Sequence, residues 1–224
     1  MNGRSREITA GLVSLTAFIV VTILVASGLT QTIDLNSAVY VNSHGLGSSG
    51  TSLMVLLSDY GREVVWGLLV VGMFLLGNKR TKILAMELAI LFVIGIIIGD
   101  PAKILIGRTR PYIVDPSIVL RVGAETDASY PSGHALIVSI GAVFCLARFH
   151  KRIVAILLGV EAALVCYSRI YVGVHYPLDV IGGILLGAAI TLIGSPLIEK
   201  YLSSILEKLL EPIMTILRRS VLDV

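Results

Sequence analysis

Long apolar runs restrict this chain more than any motif in it. Crossing the roughly 30 Å hydrocarbon core of a bilayer takes about 20 apolar residues in a helix. Windows at residues 8–29, 63–77, 83–99, 132–148, 153–172 and 178–196 approach that requirement, the third continuing helically to about residue 106 and the second being the shortest. None shows the alternation of a barrel strand, and only helices or closed barrels satisfy every backbone group in lipid. The expected fold is therefore all-α: an integral membrane bundle of six transmembrane helices, forming a single domain over residues 1–224. Composition agrees, since 55% of the 224 residues are apolar and 15% charged. The mean hydropathy of +0.90 lies outside the range of soluble globular domains.

The N-terminal MNGRSR precedes an apolar run, Ile8–Leu29, that is longer than the core of a secretory signal, so it reads as a retained first span. Residues 30–62 carry the turn-rich NSHGLGSSG between TIDLNSAVYV and SLMVLLSDY and are expected to form an interfacial segment. After the sixth window, apolar pairs recur every fourth residue from Leu197 and Ile198 to Ile213 and Met214, with Glu199, Lys200, Glu207, Lys208 and Glu211 between them. That pattern predicts a C-terminal amphipathic helix on the membrane or on a partner. Cys145 and Cys166 both sit inside apolar windows, where a thiol packs as a small hydrophobe.

The cations divide unevenly between the two sides that six spans define. Arg4, Arg6, Lys79, Arg80, Lys82, Arg148, Lys151, Arg152, Lys200, Lys208, Arg218 and Arg219 collect on one side, and Arg62, Lys103, Arg108, Arg110, Arg121 and Arg169 on the other. The larger group marks the cytoplasmic side, so both termini are expected in the cytoplasm and the second group faces out across the plasma membrane. The net charge of +3 is modest and gives no reason to expect a nucleic-acid partner.

The outward cations cluster with polar helix ends. Lys103, Arg108 and Arg110 follow the third span in AKILIGRTRPY, PSGH at 131–134 opens the fourth, Arg169 closes the fifth, and VHYPLD opens the sixth. A helix N-terminus with its unpaired N–H groups attracts anions, and Ser132 and Gly133 sit at such an end. Ser132 can donate its hydroxyl, and Gly133 has no Cβ to keep a ligand from the backbone. Guanidinium and ammonium groups arriving from other helices suit the remaining oxygens of a phosphate. His175 and Asp179, four residues apart at a helix start, can share a hydrogen bond that leaves one ring nitrogen free as a nucleophile. His134 comes from a different helix and is placed to protonate a departing oxygen.

Lys103, six residues, Arg110-Pro111; Pro131-Ser132-Gly133-His134; Ser168-Arg169, five residues, His175, three residues, Asp179: this series, over residues 103–179, resembles the three-part signature of the type 2 phosphatidic acid phosphatase superfamily. The resemblance implies that His175 attacks phosphorus to give a phosphohistidine, that Asp179 orients it, and that His134 serves as general acid and then helps activate water. It implies that Lys103, Arg110, Ser132, Gly133 and Arg169 bind the phosphoryl oxygens, with Arg108 as a supplementary ligand. No metal and no cofactor are expected, since the family carries the countercharge on side chains and the outward loops offer no carboxylate cluster suited to Mg²⁺.

An outward site at headgroup depth suits a lipid phosphate whose tail stays in the bilayer. Within the family, the expected substrate is a polyprenyl diphosphate of the undecaprenyl or dolichyl type, hydrolysed to the monophosphate. Phosphatidylglycerophosphate and phosphatidate are alternatives, as is a phosphotransferase using the same residues. A lipid-binding or transporting protein is the non-enzymatic alternative, and it would have no use for a nucleophile with its own carboxylate. The sequence leaves the oligomeric state open. Arg62 and Arg121 read as cations that anchor at headgroups, His44 and His150 as surface histidines, and Glu87 and Glu161 as hydrogen-bonded structural groups.

Overall fold

A computed structural model describes the backbone of residues 3–222 and the side chains of residues 3–202. Among these residues the chain is helical, with no strand. In chain order the elements are α1 (Gly3–Ala26), α2 (Gln31–Ser43), α3 (Gly47–Leu56), a π-helical segment (Leu57–Val65), α4 (Trp66–Leu76), α5 (Lys79–Ile106), the single turn α6 (Pro111–Val114), α7 (Gly133–Arg148), α8 (Arg152–Tyr171) and α9 (Pro177–Leu222). The helices α1, α5, α8 and α9 are long and apolar enough to cross a membrane, while α7 is apolar but shorter. The amphipathic pattern after residue 202 lies outside the residues whose side chains are described.

The starts of the later helices follow from local chemistry. Asn78 caps α5 by accepting a hydrogen bond from the Thr81 N–H, and the Ser132 hydroxyl accepts from the Ala135 N–H at the head of α7. Pro177 occupies the first position of α9, where its missing N–H costs nothing. The starts of α5, α7, α8 and α9 match those of the third, fourth, fifth and sixth windows to within a few residues.

The region before residue 63 departs from the sequence reading. The expected turn-rich stretch contains two helices, and the chain breaks only at residues 44–46. From Gly47 to Leu76, α3, the π-helical segment and α4 follow one another without interruption, so the second window is the last half of a longer rod. The spacing of inward residues explains why periodicity missed it. Met54, Ser58, Gly61 and Trp66 are the buried positions, and the five-residue step from Gly61 to Trp66 would turn an α-helix about 140° off its inner face. A segment bonded i→i+5 turns less per residue and keeps both on the same side.

The core lies along α7, which packs against α5, α8 and α9, with α1 laid on α9. Trp66, Leu88, Leu91, Leu136, Ile140, Phe144 and Val165 fill it. The opposite faces carry exposed Leu12 and Val13, Leu68 and Leu75, Ile96 and Ile97, and Ile156 and Leu157, an apolar exterior that only a bilayer makes favourable.

Close approach of α7 and α9 depends on small residues. A Cβ at Gly183 would lie 2.5 Å from the Ser132 carbonyl oxygen and 2.9 Å from Ala135 Cβ. Gly183→Ala should therefore force the two helices apart at the residues that open α7. The expected overpacking cost is about 1–3 kcal/mol, lowering the unfolding midpoint in detergent by roughly 2–10 °C. An unchanged midpoint in a thermal melt would contradict this packing.

Candidate active site

Four helix ends converge: the C-termini of α5 and α8 and the N-termini of α7 and α9. The turn between α8 and α9 delivers His175, and it depends on Gly173, whose φ of +90° is a left-handed conformation that side chains resist. The chain then folds back so that the Val174 and His175 N–H groups both donate to the Arg169 carbonyl. The Ser132 N–H donates to the Asp179 carbonyl at 3.0 Å, which fixes the PSGH segment to the first turn of α9.

Within this frame His175 is 1% exposed. Its Nδ1 lies 3.3 Å from an Asp179 carboxylate oxygen, and its Nε2 lies 3.5 Å from an Arg110 guanidinium nitrogen. A guanidinium can only donate, so these partners imply a lone pair on Nε2 and the ring proton on Nδ1, directed at Asp179. Burial, then the charges of Arg169 and Arg110, hold the His175 ring well below its ordinary pKa, so it is neutral at neutral pH. A neutral imidazole with an unprotonated ring nitrogen has the lone pair that a nucleophile needs.

Of the expected phosphate ligands, Arg110 lies beside that nitrogen, and Arg169 and Lys103 each share a carboxylate partner with Arg110. Arg110 and Arg169 are buried, and a Cβ built on Gly133 would lie 3.9 Å from Lys103 Nζ. Arg110 also donates to the Val174 carbonyl at 2.9 Å, and Arg169 to the Ser58 hydroxyl at 2.6 Å. His134 is half-buried at the start of α7, beside Gly133.

Arg108 does something other than supplement the phosphate ligands. Its guanidinium donates to Asp179 at 2.7 Å and to Gln31 at 3.1 Å, forms an ion pair with Asp34 at 2.8 Å, and stacks 3.8 Å over the Tyr176 ring. Two buried carboxylates need a countercharge, and Arg108 supplies it from behind Asp179. The sequence neighbourhood of Arg110 suggested a shared role, but Asp34 on α2 draws Arg108 away. Arg121 likewise serves the protein: it donates to the Tyr171 and Asn42 carbonyls at 3.0 and 2.9 Å. Glu87 and Glu161 do hold hydrogen bonds, from Ser195 and from the Trp66 indole N–H.

Sequence reasoning missed three groups. Glu125 and Asp127, in the loop before PSGH, form ion pairs with every cation of the cradle: Glu125 with Arg110 and Arg169, and Asp127 with Lys103 and Arg110. Their position in GAETDASYPSGH, within ten residues before His134, was the available signal. Arg62, expected at the lipid headgroups, instead approaches His134, with 3.5 Å between its Nη1 and the ring Nδ1. Ser58, which holds Arg169, carries no sequence signal.

The acidic loop has an electrostatic signature. Burial alone would raise the Asp127 carboxyl, but hydrogen bonds and charge from Lys103 and Arg110 bring its pKa down to about 2. For Glu125, burial is likewise outweighed by the charges of Arg169 and Arg110, and its pKa is lowered.

A model of the PAP2 superfamily matches residues 83–201. An undecaprenyl-diphosphatase of Sulfolobus acidocaldarius is 50% identical over 143 residues, which cover 63% of this chain and 68% of that protein. The undecaprenyl-diphosphatase BcrC of Bacillus subtilis is 28% identical over 162 residues, covering 70% and 80%. Among solved structures, a transmembrane PAP2-type phosphatidylglycerolphosphate phosphatase from Bacillus subtilis superposes with a TM-score of 0.69 at 24% identity, covering 85% of this chain and 96% of its own.

Two outcomes test this geometry. Arg108→Leu leaves Asp34 and Asp179 buried without a cation and should cost about 3–5 kcal/mol in denaturant unfolding, part of it recovered by adding Asp34→Asn. Asp127, with a pKa lowered from 3.8 to about 2 in the fold, contributes stability that is present above about pH 4 and lost as the pH falls through about 2. Asp127→Asn should therefore flatten the decline of the melting midpoint across that interval.

Proposed function

The chain belongs to the PAP2 superfamily, and we propose that it removes the terminal phosphate of a polyprenyl diphosphate through a phosphohistidine on His175. It is a membrane phosphatase, as its curated relatives are phosphatases. The observation that carries the mechanism is the environment of one atom: His175 Nε2, with its lone pair, faces Arg110 while Asp179 holds the opposite ring nitrogen.

The reaction follows from that arrangement. The Nε2 lone pair attacks the terminal phosphorus, the bond from phosphorus to the bridging oxygen breaks, and the lipid monophosphate departs with the electron pair and a proton from His134. Arg110, Arg169, Lys103, the Ser132 hydroxyl and the N–H groups at the head of α7 hold the phosphoryl oxygens as charge moves. Asp179 stabilises the positive ring of the phosphohistidine. Water then attacks phosphorus, the N–P bond breaks with its electrons returning to Nε2, and His134 recovers its proton from the water. The products are inorganic phosphate and the lipid monophosphate, and the protein is unchanged.

The choice of a polyprenyl diphosphate draws on the 50% identical undecaprenyl-diphosphatase. In this reading the chain crosses the membrane six times, by α1, the rod 47–76, α5, α7, α8 and α9. The excess of Lys and Arg at the opposite end supports cytoplasmic termini and an outward site. With 16 residues, α7 extends about 24 Å, short of a 30 Å hydrocarbon core, so the cradle is recessed below the headgroup plane where a lipid phosphate enters sideways.

The test is phosphate release in detergent with EDTA present, from undecaprenyl diphosphate, phosphatidylglycerophosphate, phosphatidate and diacylglycerol pyrophosphate. Undecaprenyl diphosphate should be the preferred substrate, and His175→Ala should reduce its hydrolysis by at least about 10⁴-fold. Undiminished release by His175→Ala would remove the nucleophile from the mechanism. Preference for another member of the panel would replace the substrate.

A further inference from the structure

Each histidine of the site has an arginine beside it. Arg110 approaches the Nε2 of His175 at 3.5 Å, and Arg62 approaches the Nδ1 of His134 at the same distance. The two arginines differ in their other partners. Arg110 is 1% exposed and bound by Glu125 and Asp127, whereas Arg62 is partly exposed and its salt bridge among the described residues goes only to its neighbour Glu63.

Resting on the reading above, we infer that Arg62 binds the phosphate of the leaving group and so selects lipid diphosphates over lipid monophosphates. The chemistry of departure carries the argument. The side chain beside the nucleophile faces the phosphoryl group being transferred, and the one beside the general acid faces the oxygen that leaves. From a monophosphate ester that oxygen departs as a neutral alcohol, which offers a guanidinium nothing. From a diphosphate it departs on a second phosphate, whose charge grows as the bridging bond breaks, and a guanidinium there is worth most in the transition state.

The surroundings of Arg62 fit such a ligand. A cavity of about 520 Å³ is present beside it. Arg62, Lys103 and Gly133 line it together with Phe92, Ile96 and Ile137. A Cβ built on Gly133 would lie 3.8 Å from Arg62 Nη1 and 3.9 Å from Lys103 Nζ, so both cations overlook the floor where the chain leaves the backbone bare. The cavity thus sets two cations beside apolar side chains, as a phosphate on a hydrocarbon tail requires. Asp100, Glu63 and Asp127 also border it, and of these Glu63 and Asp127 are already paired, with Arg62 and Lys103.

Farnesyl diphosphate and farnesyl monophosphate, assayed with the full-length protein in detergent, separate the two leaving groups while keeping one tail. Arg62→Gln should lower kcat/KM for the diphosphate about 10–100-fold and for the monophosphate less than about 3-fold, with Arg62→Lys intermediate. Glu63→Gln releases Arg62 from its salt bridge and should raise the diphosphate-to-monophosphate ratio by about 2–5-fold, a result that does not require the Arg62 variants to fold. Equal losses on both substrates in Arg62→Gln, or an unchanged ratio in both variants, would overturn the assignment. If the wild-type protein released no phosphate from farnesyl diphosphate, the lipid diphosphatase reading itself would fall, and this assignment with it.

Discussion

A single buried carboxylate holds the site end of the bundle together. Asp179 is 0% exposed, and taking such a charge out of water costs several kcal/mol unless it is compensated. Its compensation comes from separate parts of the chain: Arg108 after α5, the His175 ring, and the Tyr176 N–H at 2.9 Å. Its own backbone carbonyl receives the Ser132 N–H. Arg108 in turn binds Asp34, which also accepts from the Leu178 N–H, so α2 is drawn over the same point. Buried ion pairs contribute little net stability compared with apolar packing, but they fix geometry. Here they fix the tautomer and direction of the ring proposed to attack phosphorus.

The residues legible in the sequence were those whose backbone setting is itself written in the sequence. Ser132 and Gly133 had to head a helix, Pro177 had to begin one, and the four-residue spacing of His175 and Asp179 required one turn between them. Residues that reach the site from elsewhere left no such trace. Ser58 and Arg62 lie on a rod whose inward positions follow a widened helical turn, so a search at a period of 3.6 did not align them with anything. Arg108 was legible as a cation at the right end of the bundle and not as the partner of Asp179. Its direction is decided by Asp34, some 70 residues earlier, and no local pattern joins the two. The approximate limits of α5, α7, α8 and α9 were readable because long apolar runs mark them. The helix in residues 31–43 was not, because it packs through buried Asp34, Ala38 and Asn42, a polar mixture with little amphipathic contrast.

The acidic loop gives the cradle a second property. Lys103, Arg110 and Arg169 would repel one another at this separation if they faced only apolar surroundings, and Glu125 and Asp127 relieve that repulsion. An anion that binds these cations must therefore compete with two carboxylates. Both keep their charge at neutral pH, since their pKa values are lowered, so protonation does not help the anion to displace them. A phosphate dianion brings a comparable charge, and exchanging one for the other leaves the electrostatic balance of the cations nearly unchanged. In the proposed reaction the cost of capture is that of separating Glu125 and Asp127 from these cations rather than of burying new charge. Tetrahedral phosphate can bind several donors at once where each carboxylate spans two, which gives the exchange a direction. The same balance explains why Arg110 and Arg169 can be almost fully buried without unfolding the helix ends that carry them.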